Sequence, residues 1–376
     1  MAYFSIGVVA LMVAFSIVAI VDILVFKEKF GLGEEFRRGF SMMGPVCMAI
    51  VGIIALVPIL SVVIENTISP LYASLGLDPS MAVTAILAND MGGFQLAASV
   101  ALDDTIGRWA GLVYGSMMGA TIVFSIPVGL AAVRKEDVSG FSKGILYGIA
   151  SIPVGTFVGG LIMGIPFGLV VKNLIIPIIF SAIIVTCLAL WPKATAKVFA
   201  IFSEIVNIFA FVGLALAVSK DLVLIPLADL GLFDVATIPV INMIGPTSEG
   251  IAVAGIGGLV LSGTLPFIAI INKVLKKPFQ SFSEKTGISE AGVTGFLLSC
   301  ANNLAMFATL DKMKEREKIA NVAFAVCAAF VIGDHLAFTA ANDASCIAPM
   351  MAAKFISGIV AVTMALFFTR NLKENK

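Results

Sequence analysis

Eleven apolar stretches constrain this chain more than any motif it carries. They fall near residues 4–26, 41–65, 81–102, 110–133, 144–171, 173–191, 198–218, 243–271, 291–310, 319–341 and 350–369. A bilayer core of about 30 Å takes roughly 20 residues of helix, and a spanning segment must satisfy its own backbone. The expected fold is therefore an all-α polytopic membrane protein. Composition agrees: 59% of residues are hydrophobic and 13% charged, against about 25% charged in soluble domains. The first run, Phe4 to Phe26, has no basic residue before it and is long enough to span, so a retained helix is expected rather than a cleaved leader. A net charge of zero offers no argument for nucleic acid as a partner.

Charge decides how many stretches cross. If all eleven do, the basic loops Arg134–Lys143 and Lys273–Lys285 fall outside. Suppose instead that 81–102 and 291–310 enter and leave on one face. The inside then collects Lys27, Lys29, Arg37, Arg38, Arg134, Lys135, Lys143, Lys193, Lys197 and Lys273. It also collects Lys276, Lys277, Lys285, Lys312, Lys314, Arg316, Lys318, Arg370, Lys373 and Lys376. Arg108, Lys172 and Lys220 stay outside, with Lys354 near the start of the last helix. This is the asymmetry of the positive-inside rule. It predicts nine transmembrane helices plus two re-entrant or broken segments, N-terminus out and C-terminus in. The alternative is eleven spans, two of them locally unwound.

One motif occurs twice. Met43-Gly44-Pro45, Pro58, Pro70, Val83-Thr84 and Ala88-Asn89-Asp90 recur as Ile244-Gly245-Pro246, Pro266, Pro278, Val293-Thr294 and Ala301-Asn302-Asn303. In the nine-crossing topology the copies run in opposite senses, which predicts an inverted-repeat transporter architecture. Residues 1–172 form one half, 173–197 a linking helix and 198–376 the other half. The runs Gly155–Gly159 and Gly164–Gly168 read as helix-packing faces. Ser219–Asn242 reads as an outer connector lying on the surface, and Asp311–Lys318 as a solvated inner loop.

Polar residues inside apolar segments need a reason. Asn89 and Asp90 precede Gly92 and Gly93, which weaken a helix and open its backbone to a ligand. Asp90 can attract a cation, take a proton, or cap the following half-helix. Asn302 and Asn303 offer amides without charge. Asp334 and His335, followed by Asn342, form a third cluster. His335, the one histidine, either relays a proton with Asp334 or locks two helices through a carbonyl. Glu249 reads as an entrance residue or a helix-start charge. Cys47, Cys187, Cys300, Cys327 and Cys346 lack C-x-x-C spacing and read as packing residues. No G-x-S-x-G, P-loop or H-E-x-x-H is present, so neither an enzyme nor a metal or cofactor is expected.

Asp90-Met91-Gly92-Gly93-Phe94, Met118 through Pro127, Ala301-Asn302-Asn303, and Gly333-Asp334-His335-Leu336 through Asn342 resemble the ethanolamine-utilisation membrane protein family, EutH. The resemblance covers nearly the whole chain; Cys300 stands where the family carries leucine. It implies a permease of the bacterial cytoplasmic membrane, serving the cytosolic ethanolamine ammonia-lyase pathway. The chemistry suits that substrate, since an ammonium with a hydroxyl needs one carboxylate and neutral partners. On this reading Asp90 or Asp334 supplies the charge, and Asn89, Asn302, Asn303 and Asn342 meet the alcohol. Competing readings are a carrier for another solute, a non-transporting scaffold or sensor, and an ion channel. An anion carrier should show a core cation, and the only candidates, Lys172 and Lys354, fall near expected span ends. The bilayer is the expected surrounding, and an oligomer is left open.

Overall fold

The computed structural model describes residues 2–232, 234–286 and 288–372; Lys373 and Lys376, counted above as inside charges, lie outside the described residues. Helix follows from the apolar runs, because a chain in lipid can pair its backbone only within itself. In order, the elements are α1 (Ala2–Leu24), α2 (Leu32–Ser74), α3 (Ser80–Ile86), α4 (Gly93–Val100), α5 (Asp104–Ala132), α6 (Lys135–Ile162) and α7 (Phe167–Leu190). They continue with α8 (Pro192–Asp229), α9 (Thr247–Thr286), α10 (Glu290–Ala301), α11 (Asn303–Phe307), α12 (Glu315–Ala328), α13 (Asp334–Asp343) and α14 (Ile347–Phe368).

Eight helical stretches are long and apolar enough to cross a membrane, the last being Asp334–Phe368. That last stretch is not one straight rod. His335 of α13 meets Lys354 of α14 at 3.0 Å, although 19 residues of continuous helix would separate them by about 28 Å. The chain reverses at Asp343, whose backbone is extended (φ −155°, ψ 96°).

The two segments expected to be re-entrant are broken. α3 and α4 have 7 and 8 residues, each reaching only about 10–12 Å. The Asp78 carboxylate, just before α3, accepts from Leu102 N at 2.9 Å and Asp103 N at 3.1 Å, just after α4. The mouth of this hairpin is thus closed on one face. Glu317 closes the second hairpin: it accepts from Ser289 N at 2.8 Å, before α10, and from Lys314 N at 3.0 Å, beyond α11. The two mouths lie at opposite ends of α5. Asp103 caps its start through Thr105 N and Ile106 N, while Arg134, just past its end, pairs with Asp311 at 2.8 Å.

Further contacts fix the two ends. Arg108 meets Asp343 at one; Lys318–Asp137 and Arg316 Nη2 on Leu366 O mark the other. Traced through them, the described residues pass from end to end nine times, with α12 and α13 together making one interrupted pass. The span count by length alone gives eight because it joins α13 to α14 and leaves α12 out.

Three readings gain detail. The Asp311–Lys318 segment is exposed or half-buried except at Met313, as a solvated loop would be, and Asp311, Glu317 and Lys318 latch it to Arg134, Ser289 and Asp137. Ser219–Asn242 lies mostly exposed, as a surface connector would, but α8 continues into it as far as Asp229, and Asp221 accepts from Thr247 N at 2.7 Å. Of the glycine runs, Gly155 packs against α14: a Cβ there would sit 2.0 Å from Ala353 O. Gly164 instead turns the chain at φ +80°, and Gly168 has nothing within 4 Å.

Glycines let α2 and α8 pack backbone to backbone. A Cβ on Gly52 would lie 1.8 Å from Ala210 O, and one on Gly213 would lie 2.0 Å from Gly52 O. Backbone cannot yield as a flexible side chain does, so Gly52→Ala should cost about 1–3 kcal/mol. Its apparent unfolding temperature in detergent should fall below that of Gly7→Ala, whose added methyl meets nothing within 4 Å. Equal temperatures would show that the helices separate freely.

Candidate functional site

Four interruptions in the helices meet inside the bundle. The first is the tip between α3 and α4. Leu87 and Ala88 are extended, and Gly92 takes φ +79°, a conformation that suits glycine and strains other residues. A Cβ on Gly92 would also fall 1.9 Å from Ile53 Cγ2 of α2. Gly93 then opens α4, its N–H donating to Ala88 O at 2.9 Å. The second is the tip between α10 and α11 at Asn302 (φ −158°, ψ 119°).

The third lies between α12 and α13, where Phe330 sits at φ +60°. Unwound backbone in an apolar interior must find partners. Phe330 N and Ile332 N donate to Ser299 O and Cys300 O, the carbonyls left free at the end of α10, at 3.1 and 3.0 Å. The fourth is a turn inside α5 at 115–117, and it exposes the Ser116 carbonyl.

Lys354 joins these breaks. It is fully buried, donates to Ser116 O at 2.6 Å and stands 3.0 Å from His335 Nδ1. An ammonium has no acceptor, so a charged Lys354 makes Nδ1 the acceptor and places the imidazole proton on Nε2. Nε2 faces Asp90 Oδ2 at 3.9 Å, too far for a hydrogen bond but close for charge. Phe330 packs on the imidazole with ring centres 5.1 Å apart.

Asp90 and Asp334 both line a narrow internal cleft of about 20 Å³, room for about one water molecule. Its other walls come from α2 (Met42, Met43, Val46, Ile50), α9 (Val253, Ala254, Gly257, Gly258, Leu261) and α13. Asp334 Oδ1 and both side-chain polar atoms of Asn89 are buried without a hydrogen-bond partner among the described residues. Asn303 donates to Ser125 Oγ at 2.9 Å, which leaves its own Oδ1 unpartnered.

The candidates thus divide. Asp90, Asp334 and His335 come together, with Asn89, Gly92 and Gly93 forming the turn that holds Asp90. Asn303 serves the second tip. Asn302 is used as a helix cap, accepting from Leu304 N at 2.8 Å. Asn342 is engaged by Gln95 Nε2 at 3.0 Å and Phe338 O at 2.8 Å and does not line the cleft. Glu249 is exposed in the first turn of α9, as a helix-start charge would be.

Of the two roles open to His335, a relay with Asp334 or a lock between helices, the first finds no support: the ring faces Asp90 and Lys354. Lys354 is not at a span end, because α14 starts at Ile347 and carries it two turns inward. The signal for it was present: one charge in an apolar run, between Met350-Met351-Ala352-Ala353 and Phe355-Ile356.

Broken helices converging on buried charge within a multi-pass, all-helical membrane protein define the architectural class that includes secondary transporters. Residues 5–368 match the family described as ethanolamine utilisation protein, EutH, and the chain belongs to that family. It is 40% identical over 370 residues to the probable ethanolamine permease EutH of Listeria monocytogenes, covering 98% of this chain and 95% of that one. It is 37% identical over 353 residues to the protein of the same name from Salmonella typhimurium, covering 89% and 85%. The uncharacterised protein YxeR of Bacillus subtilis is 37% identical over 355 residues, covering 93% and 91%. No solved structure matches the chain. The protein is a multi-pass membrane protein of the EutH family.

Proposed function

We propose that the protein is a permease importing ethanolamine across the bacterial cytoplasmic membrane for catabolism by the ethanolamine ammonia-lyase pathway. The observation that carries this reading is that two carboxylates, Asp90 and Asp334, line the cleft beside a single lysine, Lys354. Were all three ionised, with His335 neutral, the centre would hold one negative charge in excess, the complement of one substrate ammonium. Lys354 removes the earlier objection to an anion, but its ammonium is committed to Ser116 O and His335. The groups left facing the cleft are carboxylates. Asn89 and Asn303 keep unpartnered amide atoms beside the two tips and would meet the hydroxyl once the cleft opens, since neither lines it in this conformation.

The cleft is too small for the substrate, so this conformation is closed. Opening requires the α2 and α9 walls, with Met42, Met43 and Leu261, to part. Alternating access by two inverted halves, 1–172 and 198–376, fits hairpins that enter from opposite ends. The end bearing Arg134, Arg316 and Lys318 is assigned to the cytoplasm, which places the C-terminus inside.

Uptake of labelled ethanolamine into proteoliposomes at acidic pH, with and without a proton gradient, tests this. Saturable uptake unaffected by the gradient means facilitated passage, and uphill uptake means proton coupling. Uptake no greater than in empty liposomes would remove the assignment.

A further inference from the structure

A second concavity lies far from the charged cleft, where α5, α6, α7 and α8 meet at the end of the protein bearing Arg134. It is an open groove of about 780 Å³. Its lining includes buried Ile126, Ile145 and Leu188 and half-buried Leu130, together with exposed Lys135 and Lys193 and half-buried Lys143. No carboxylate lines it. Of the adjacent acids, Asp137 is taken by Lys318, and Glu136 is exposed outside the lining. None of the three lysines has an ion pair among the described residues.

Trp191, 61% exposed, stands at the start of α8 beside Lys193. Tryptophans concentrate at the headgroup level of a bilayer, and basic pockets between helices bind anionic headgroups. Trp191 thus marks the Lys193 end of the groove as the end nearest the headgroups. We propose that this groove is a binding site for an anionic phospholipid, with its phosphate between Lys135, Lys143 and Lys193 and one acyl chain along the apolar walls. A soluble anion would use the lysines but not the walls. A zwitterionic lipid brings its own ammonium toward three unpaired ones.

Trp191 supplies the probe, because the only other tryptophan, Trp109, is fully buried and gives a constant background. The full chain is reconstituted into vesicles containing dibrominated phosphatidylglycerol or dibrominated phosphatidylcholine, and fluorescence quenching is followed against mole fraction. The glycerol lipid should half-saturate quenching at a mole fraction about tenfold lower. Lys135→Gln/Lys143→Gln/Lys193→Gln should abolish that difference. Ala189→Leu, which crowds the groove and keeps every charge, should also weaken the preference. Equal quenching by the two lipids, weak quenching by both, or a preference that survives the triple substitution would each overturn the proposal.

Discussion

Asp90→Asn should abolish saturable ethanolamine uptake while leaving the protein folded. The side chain keeps its shape, and its backbone turn is set by Gly92 and by Ile53 behind it rather than by the carboxylate. What changes is charge. The centre goes from one excess negative charge to neutrality, and a substrate ammonium entering it would stand desolvated without a counter-ion. Asp334 alone does not rescue binding, because Lys354 already offsets one carboxylate. A loss of at least about 100-fold in uptake rate at equal expression is expected, corresponding to roughly 3 kcal/mol. Near-normal uptake by the variant would take Asp90 out of the site and with it the charge count on which the function rests.

Lys354→Met should be the most destabilising change at the centre. It leaves two half-buried carboxylates without a nearby cation and deprives Ser116 O and His335 Nδ1 of a partner. Breaking a buried ionic set from one side typically costs about 3–5 kcal/mol. The expected result is a large fall in folded yield and in the apparent unfolding temperature. Combining it with Asp90→Asn returns the net charge to that of the parent, so the double variant should recover part of that stability and, with Asp334 no longer offset, part of the uptake. A Lys354→Met protein as stable as the parent would mean that the lysine is neutral and merely packed. A double variant no better than the single would mean that Asp90 and Lys354 do not sense each other.

Much of this was legible in the residues because lipid permits few alternatives. Long apolar runs became helices, and the asymmetry of lysine and arginine separated the two hairpins from the true crossings. Asp90-Met91-Gly92-Gly93 announced a break because a charge and two glycines seldom share a helix interior. Two features were hidden for different reasons. The third break, at Phe330, occurs in plain apolar sequence with no proline, and only Gly333 at its edge hinted at it. That break exists because α10 offers it carbonyls, a tertiary fact that no local pattern encodes. Lys354 was misplaced by a single turn of helix: reading the span from 350 rather than 347 put a buried ammonium at the interface. The Asp334–His335 adjacency misled in a related way, since neighbours in sequence point to different sides of a helix.

The bonds from Phe330 N and Ile332 N to the end of α10 set a rule for motion. Withdrawing the second hairpin alone would strand two backbone donors in a dry interior, so it must travel with the α12–α13 junction as one body. The first hairpin leans instead on Ile53 of α2 and on α5, where a Cβ on Gly119 would touch Leu87 O at 1.9 Å. The second tip reaches α5 too, through Asn303 on Ser125 Oγ at 2.9 Å, so one helix braces both hairpins. Between the first tip and His335 there is no such bond, only the 3.9 Å approach of Asp90 to the imidazole.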